Sequence, residues 1–119
     1  MKSKEALAKQ CSYLFNEFLT NNEKYKTLAH FRRSPGGYLI MLKTFENYFN
    51  DKAIHVEELI RYVPISISSR LSLFSLIDTA VKRNVLIKTG DTDDHRKKLV
   101  TPSEIFIKEF RNWLDDFGV

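Results

Sequence analysis

The sequence predicts one mainly α-helical domain with a single small β-hairpin near its C-terminal end. Apolar residues recur at three- and four-residue spacing along most of the chain, as they do on amphipathic helices. A β-branched run at 85–89 and a second run at 96–101 flank a turn that is rich in glycine and aspartate. A chain of 119 residues suits one domain, 1–119, around one hydrophobic core.

The composition is that of a globular protein with modest basic character. Hydrophobic residues make up 43% and charged residues 29%, so extensive disorder is not expected. The net charge of +4 favours polyanionic partners but does not require one. The single cysteine, Cys11, cannot form a disulfide within the chain, which fits a reducing compartment. No apolar run approaches the roughly 20 residues of a membrane span, so we expect a cytoplasmic protein.

The N-terminal third predicts one long helix and one short one. A helix from about Ser3 to Leu19 carries an apolar stripe. The stripe consists of Ala6, Leu7, Cys11, Leu14, Phe15 and Phe18. Asn21-Asn22 interrupts this pattern, and residues 23–33 permit a short second helix. Ser34-Pro35-Gly36-Gly37 predicts a break in the chain, since proline fixes a dihedral angle and glycine permits unusual ones.

Two helices are predicted before the next proline. One spans about 38–49, and a compact one spans Val56 to Val63 after a short extended piece at Ala53-Ile54. Pro64 ends the compact helix, because proline disfavours helical geometry in the residue before it.

The helix predicted over 67–83 has one apolar face and one face of small polar side chains. Its predicted inner face consists of Leu71, Phe74, Ile77 and Val81, flanked by Leu73, Leu76 and Ala80. The opposite face carries Ser68, Ser72, Ser75, Thr79 and Lys82. Asn84 follows at a position that often needs left-handed geometry, which asparagine tolerates.

A hairpin and a final helix complete the predicted order. The hairpin has strands at 85–89 and 96–101 around a turn from Gly90 to His95. Pro102 and Ser103 suit the start of a helix from Glu104 to about Phe117. The order helix, helix, helix-turn-helix, hairpin, helix is that of a winged helix-turn-helix protein.

This order predicts DNA recognition, because an exposed helix fits the major groove and a basic hairpin can reach the minor groove. Hydroxyl and cationic side chains bond phosphates and base edges. The candidate contacts are Ser66, Ser68, Ser69, Arg70, Ser72, Ser75, Thr79, Lys82, Arg96, Lys97 and Lys98. Taken singly, the helix is equally compatible with a solvated face, and the hairpin favours a solvated turn. Their succession favours DNA binding.

Two stretches resemble the MarR family of transcription regulators. Leu76 to Ile87 is similar to the end of its recognition helix and the first wing strand, with asparagine at 84 where the family usually has glycine. Asp93-Asp94-His95-Arg96, followed by Leu99 to Glu104, is similar to its wing signature. The resemblance covers about 56–104, although the turn at 63–73 is longer than usual. It implies a dimer with interlocking terminal helices and Arg96 in the minor groove. It also implies that Asp94 orients the wing arginine or pairs with a nearby cation.

Aromatic residues in the terminal helices give independent support for a homodimer. They are Phe15, Phe18, Phe106, Phe110, Trp113 and Phe117. Part of this aromatic surface must pack inward, and the surplus is expected to bury against a second copy. We therefore predict dimerisation helices at 1–34 and 102–119 and a DNA-binding part at 53–101. Two recognition helices related by a two-fold axis suit a pseudo-palindromic operator in double-stranded DNA. A small-molecule effector between the two regions is a further expectation.

The sequence predicts no enzyme, cofactor or metal site. His30, His55 and His95 lack partners at ligand spacing, and Pro35-Gly36-Gly37 lacks the length and lysine of a phosphate loop. Cys11 falls on an apolar stripe, which favours a buried inert thiol over an oxidant sensor. The alternative function is a winged-helix module that binds protein without binding DNA.

Overall fold

The computed structural model describes residues 1–90 and 97–116, which contain six helices and three strands. In chain order they are α1 (Lys4–Lys24), α2 (Lys26–Arg32), α3 (Pro35–Phe49), β1 (Ile54–His55), α4 (Val56–Arg61), α5 (Arg70–Lys82), β2 (Leu86–Gly90), β3 (Lys98–Pro102) and α6 (Glu104–Asp116). The predicted mainly helical class with a small hairpin is confirmed. Residues 91–95 of the predicted turn, Arg96 at the start of the predicted return strand, and Phe117 lie outside the described residues.

Helix α1 continues past the asparagine pair that was predicted to end it. Ser3 begins the helix by accepting the Ala6 N–H at 3.1 Å. Asn21 is buried, and its carbonyl accepts the Tyr25 N–H at the end of the helix. Tertiary packing therefore outweighs the weak helix propensity of asparagine. Glu17 and Asn21 are the buried residues of α1, so its predicted apolar stripe lies mostly on the surface.

The predicted break at Ser34-Pro35-Gly36-Gly37 is instead the start of α3. Ser34 accepts the Gly37 N–H at 3.1 Å, and Pro35 occupies the first turn, where its missing N–H has no cost. A β-carbon at Gly36 would lie 2.7 Å from the Ser68 β-carbon, and one at Gly37 would overlap the Phe31 carbonyl oxygen. The two glycines thus allow α3 to pack closely on its neighbours.

The aromatic residues of α6 belong to the core of this chain. Phe106, Phe110 and Trp113 are buried. The Phe110 ring stacks on Phe45 of α3 at 3.8 Å between centroids, and the Phe106 ring stacks on Phe31 of α2 at 5.1 Å. Phe106, Phe110 and Trp113 are therefore the part of the terminal aromatic surface that packs inward, because α2 and α3 cover them.

A buried ion pair fixes α1 to the helices beside it. The side chains of Glu17 and Arg32 are 5% and 4% exposed, and their Oε1 and Nη1 atoms lie 2.9 Å apart. Arg32 also donates from Nη2 to Glu17 Oε2 at 2.9 Å, and the Trp113 indole N–H donates to Glu17 Oε1 at 2.5 Å. The carboxylate therefore links α1, α2 and α6.

The three strands form an antiparallel sheet in the order β1-β3-β2. Ile54 lies opposite Val100, and Leu86 lies opposite Pro102. Pro102 therefore closes β3, whereas Ser103 caps α6 by accepting the Phe106 N–H at 3.3 Å. Asn84 has a φ of 60°, which confirms the predicted left-handed residue before the hairpin.

Candidate nucleic-acid interface

Helices α4 and α5 form the helix-turn-helix, and residues 62–69 join them. Helix α5 begins at Arg70, later than the predicted start at Ile67, because Ser69 caps it by accepting the Ser72 N–H at 3.1 Å. The N–H groups of Ile67 and Ser68 both bond the Pro64 carbonyl, so this segment turns before the helix. The candidate serines at 66, 68 and 69 consequently lie in the connection and not on the helix.

The buried face of α5 differs from the predicted one. Leu73, Ile77 and Ala80 are buried, whereas Leu71 is 81% exposed and Phe74 is 37% exposed. Both the predicted and the observed sets repeat at three- and four-residue spacing, so periodicity alone does not choose between them. Packing against α3, α4 and β2 selects the second set and turns Leu71 outward.

Of the side chains in the helix region that were predicted to contact DNA, some are exposed and others are half-buried. The exposed ones are Ser66, Ser69, Arg70, Ser72, Ser75 and Lys82. Ser68 is half-buried against Gly36, and Thr79 is half-buried on α5. These two side chains have less freedom to approach a duplex than the exposed set.

Several of these exposed side chains make contacts with neighbouring residues. The Ser69 hydroxyl donates to the Ser72 hydroxyl at 2.8 Å. The Lys82 ammonium lies 3.7 Å from the Asp78 carboxylate, and both side chains are exposed. The Arg70 guanidinium lies 5.9 Å from the Phe74 ring centroid, a cation–π contact along the helix. The N-terminal half of α5 therefore presents hydroxyls and one arginine to solvent, together with the exposed Leu71 and Phe74.

The wing, which comprises β2, β3 and the residues between them, adds lysines beside α5. Lys97 and Lys98 are exposed at the start of β3, and Lys88 is exposed on β2. A cleft of about 770 Å³ separates the wing from the helix-turn-helix. It is lined by His55, Val56, Glu57, Glu58, Arg61, Phe74, Lys88, Lys97 and Lys98. The wing residues Asp94 and Arg96 lie outside the described part of the chain.

Sequence reasoning missed two cations at this cleft and one exposed apolar residue beside it. Arg61 and Lys88 line the cleft, and Leu71 lines a neighbouring cleft on α5. The two-residue alternation of a strand could have placed Lys88 on the solvent side. Nothing in the spacing of α5 could have identified Leu71 as exposed.

Other site types find little support in the described residues. Over 1–90 and 97–116, no cluster of three histidine, cysteine or acidic side chains is placed to hold a metal ion. None of the helices described there has the length and apolar character needed to cross a bilayer. Cys11 is exposed in the single chain, so its predicted burial is wrong for the monomer.

Several solved structures share this architecture. The heme sensor protein PefR from Streptococcus agalactiae, in complex with heme, is similar at TM-score 0.57 and 16% identity, over 98% of this chain and 77% of PefR. A mutant of MepR from S. aureus is similar at TM-score 0.59 and 10% identity, over 98% and 78%. The transcriptional regulator Tm0710 from Thermotoga maritima is similar at TM-score 0.57 and 15% identity, over 95% and 70%.

No family model and no curated protein sequence matches the chain. The identities to the solved structures are low, so the likeness is one of fold. It extends over nearly the whole chain. The chain therefore has the winged helix-turn-helix fold of MarR-type regulators, the fold that the resemblance in its sequence predicted.

Proposed function

We propose that this protein is a sequence-specific, DNA-binding transcription regulator of the MarR type, and not an enzyme. The observation that carries the proposal is the shared cleft between α5 and the wing. Phe74 of α5 lines it together with Lys88, Lys97 and Lys98, so the recognition helix and the cations of the wing are accessible on one side. If α5 occupied the major groove of a duplex, the phosphates of that duplex would lie toward these lysines.

The exposed side chains near the start of α5 are the proposed base-reading groups. Arg70 suits a bidentate contact to guanine, and Ser72 and Ser75 suit short contacts to bases or phosphates. The proposed supporting contacts are Ser66, Ser69, Lys82, Lys97 and Lys98, with Arg96 in the minor groove and Asp94 orienting it. We leave Ser68 and Thr79 out of the contact set, because both are half-buried.

The exposed face of α1 supports the proposed homodimer. Its large apolar side chains at the surface are Leu7, Leu14, Phe15, Phe18 and Leu19, and Phe15 is 67% exposed. A continuous apolar face on a helix that is barely buried in its own chain suits burial against a second copy. Two copies would present two α5 helices to a pseudo-palindromic operator.

A cleft between α1 and the start of α3 supports the proposed effector. It has a volume of about 430 Å³, and its lining includes Phe18, Arg32 and Tyr38. The similar protein PefR was solved in complex with heme, which supports this proposal. We propose that a small molecule in this cleft alters the spacing of the two recognition helices.

The test of DNA binding is the dependence of affinity on salt. Fluorescence anisotropy with duplex DNA should give log affinity that falls linearly with log salt, by about 0.9 for each phosphate contact. Replacing both Lys97 and Lys98 with alanine should make this slope shallower. Lys9→Ala, an exposed lysine on α1, is the matched control and should leave the slope unchanged. Salt-independent or undetectable binding would instead favour the protein-binding alternative.

A further inference from the structure

Helix α5 exposes a leucine among the polar side chains of its first turn. Leu71 is 81% exposed, while the core contacts of the helix come from Leu73, Ile77 and Ala80. Leu71 therefore adds little to the packing of this chain. We propose that Leu71 reads the C5 methyl group of a thymine in the major groove, a proposal that rests on the proposed function.

The position of Leu71 suits contact with base edges. In helix-turn-helix proteins the N-terminal residues of the recognition helix lie deepest in the major groove. Leu71 is the second residue of α5, directly after Arg70 and one turn before Ser75. The small side chains of Ser72 and Ser75 leave room for a duplex to approach the leucine.

The surroundings of Leu71 favour DNA over a protein partner. Leu71 and Phe74 share a shallow cleft with Ser75, Asp78 and Lys88. The Ser75 hydroxyl and the Lys88 ammonium of this cleft can meet a polyanion, and its carboxylate, Asp78, lies 3.7 Å from the Lys82 ammonium. The thymine methyl is the apolar group that base pairs present in the major groove, and it would fill the space beside Leu71.

Uracil substitution tests this contact, because uracil pairs as thymine does and lacks only the methyl group. Each thymine of a selected binding sequence is replaced in turn, and affinity is measured for the wild-type protein and Leu71→Ala. One thymine in each half-site should be sensitive, with wild-type affinity falling about fourfold for the buried methyl. Leu71→Ala should bind the thymine sequence less tightly and should not distinguish thymine from uracil at that position.

Ile105→Ala is the matched control, since Ile105 is an exposed apolar residue in the first turn of α6. It should keep the wild-type discrimination, and thermal unfolding should show both variants folded. DNA binding without any uracil-sensitive position would overturn this inference and leave the proposed function standing. Equal uracil sensitivity in wild type and Leu71→Ala would also overturn it. A failure of the wild-type protein to bind any DNA would overturn both proposals.

Discussion

Arg32 places a guanidinium in the interior, between two aromatic rings and a carboxylate. Its central carbon lies 4.9 Å from the Phe18 ring centroid and 5.2 Å from that of Trp113. The Glu17 carboxylate accepts hydrogen bonds from both Arg32 and Trp113. Because these residues come from α1, α2 and α6, the cluster sets the direction in which the exposed apolar face of α1 points.

Removing one charge of this pair should be costly. Arg32→Met leaves the Glu17 carboxylate buried without its partner, and breaking a buried pair in this way costs about 3–5 kcal/mol. The double change of Glu17→Gln with Arg32→Met should recover part of that stability. Urea denaturation measures both, and Lys9→Met, which removes an exposed pair, should cost about 1 kcal/mol or less. A loss for Arg32→Met no larger than that of Lys9→Met would contradict the role of the cluster.

The backbone conformation of a single residue was predictable where the local sequence determines it. Asn84 was predicted to be left-handed from its place after a helix, and its φ is 60°. The exposure of Leu71 was not predictable, since two interleaved sets on α5 have the same spacing. The pairing of Glu17 with Arg32 joins residues in different helices, and nothing in the local sequence reveals it.

The end of α6 is held against the end of α1 by polar contacts. Tyr25 Oη donates to Asp116 Oδ2 at 2.6 Å, and Lys24 Nζ lies 3.2 Å from the same oxygen. The hydrogen bonds from Tyr25 and Lys24 hold the pKa of Asp116 below its ordinary value of 3.8. Burial raises the pKa of the Tyr25 hydroxyl, and its hydrogen bond to Asp116 raises it further.

Because the pKa of Asp116 is lowered, the stability of the fold should depend on pH in the acid range. A carboxyl group with a depressed pKa in the folded state stabilises the fold above its ordinary pKa, and this stabilisation is lost as the pH falls through the folded value. Asp116→Asn should therefore lower the melting temperature at pH 7, with a difference from wild type that narrows below pH 3.8. The neighbouring Asp115→Asn is the control. A difference that stays constant down to pH 2.5 would exclude ionised Asp116 as its source.

The wing has its own prediction, which follows from the family resemblance. Arg96→Ala should weaken operator binding by about 1–3 kcal/mol, the range of a single lost base contact. The dimer and the melting temperature should stay nearly unchanged, because the guanidinium is assigned to DNA. Anisotropy, sedimentation and thermal unfolding measure the three properties. Unaltered affinity for a genuine operator would remove Arg96 from the interface.

The boundaries of a helix were predictable only where its capping residue could be identified from the sequence. Ser34 and Pro35 form a standard helix start, yet the following glycines made the segment look like a break. Gly36 and Gly37 are required by tertiary packing, since Ser68 and the Phe31 carbonyl leave no room for a β-carbon at these positions. The start of α5 at Arg70 likewise depends on which of several successive serines acts as the cap, and Ser69 does.

At the scale of the whole molecule, large exposed apolar side chains occur in two regions. One region is the face of α1, and the other includes Ile65, Leu71 and Ile87, which lie among the exposed hydroxyls and lysines of α5 and the wing. The division into dimerisation helices and a DNA-binding part stays a prediction. The aromatic count alone did not show which rings pack inward: Phe106, Phe110 and Trp113 are buried in the core, whereas Phe15 and Phe18 are exposed.

The proposed homodimer can be tested on the face of α1. Phe15→Lys should dissociate it at micromolar concentration, since burying an unpaired ammonium is unfavourable. Asn16→Lys is the control, because residue 16 is exposed and lies off the apolar stripe. Sedimentation velocity distinguishes the two outcomes. A wild-type monomer, or a Phe15→Lys dimer as stable as wild type, would exclude this face as the interface.

Selection of bound fragments from random double-stranded DNA tests the central claim most directly, because it reports binding and symmetry together. If α5 and the wing of a dimer read DNA, the selected fragments will share a pseudo-palindrome. Its half-sites will be centred about 10 base pairs, or one helical turn, or a multiple of that apart. Fragments without a common sequence, or no enrichment at low salt, would contradict the assignment of α5 and the wing to operator recognition.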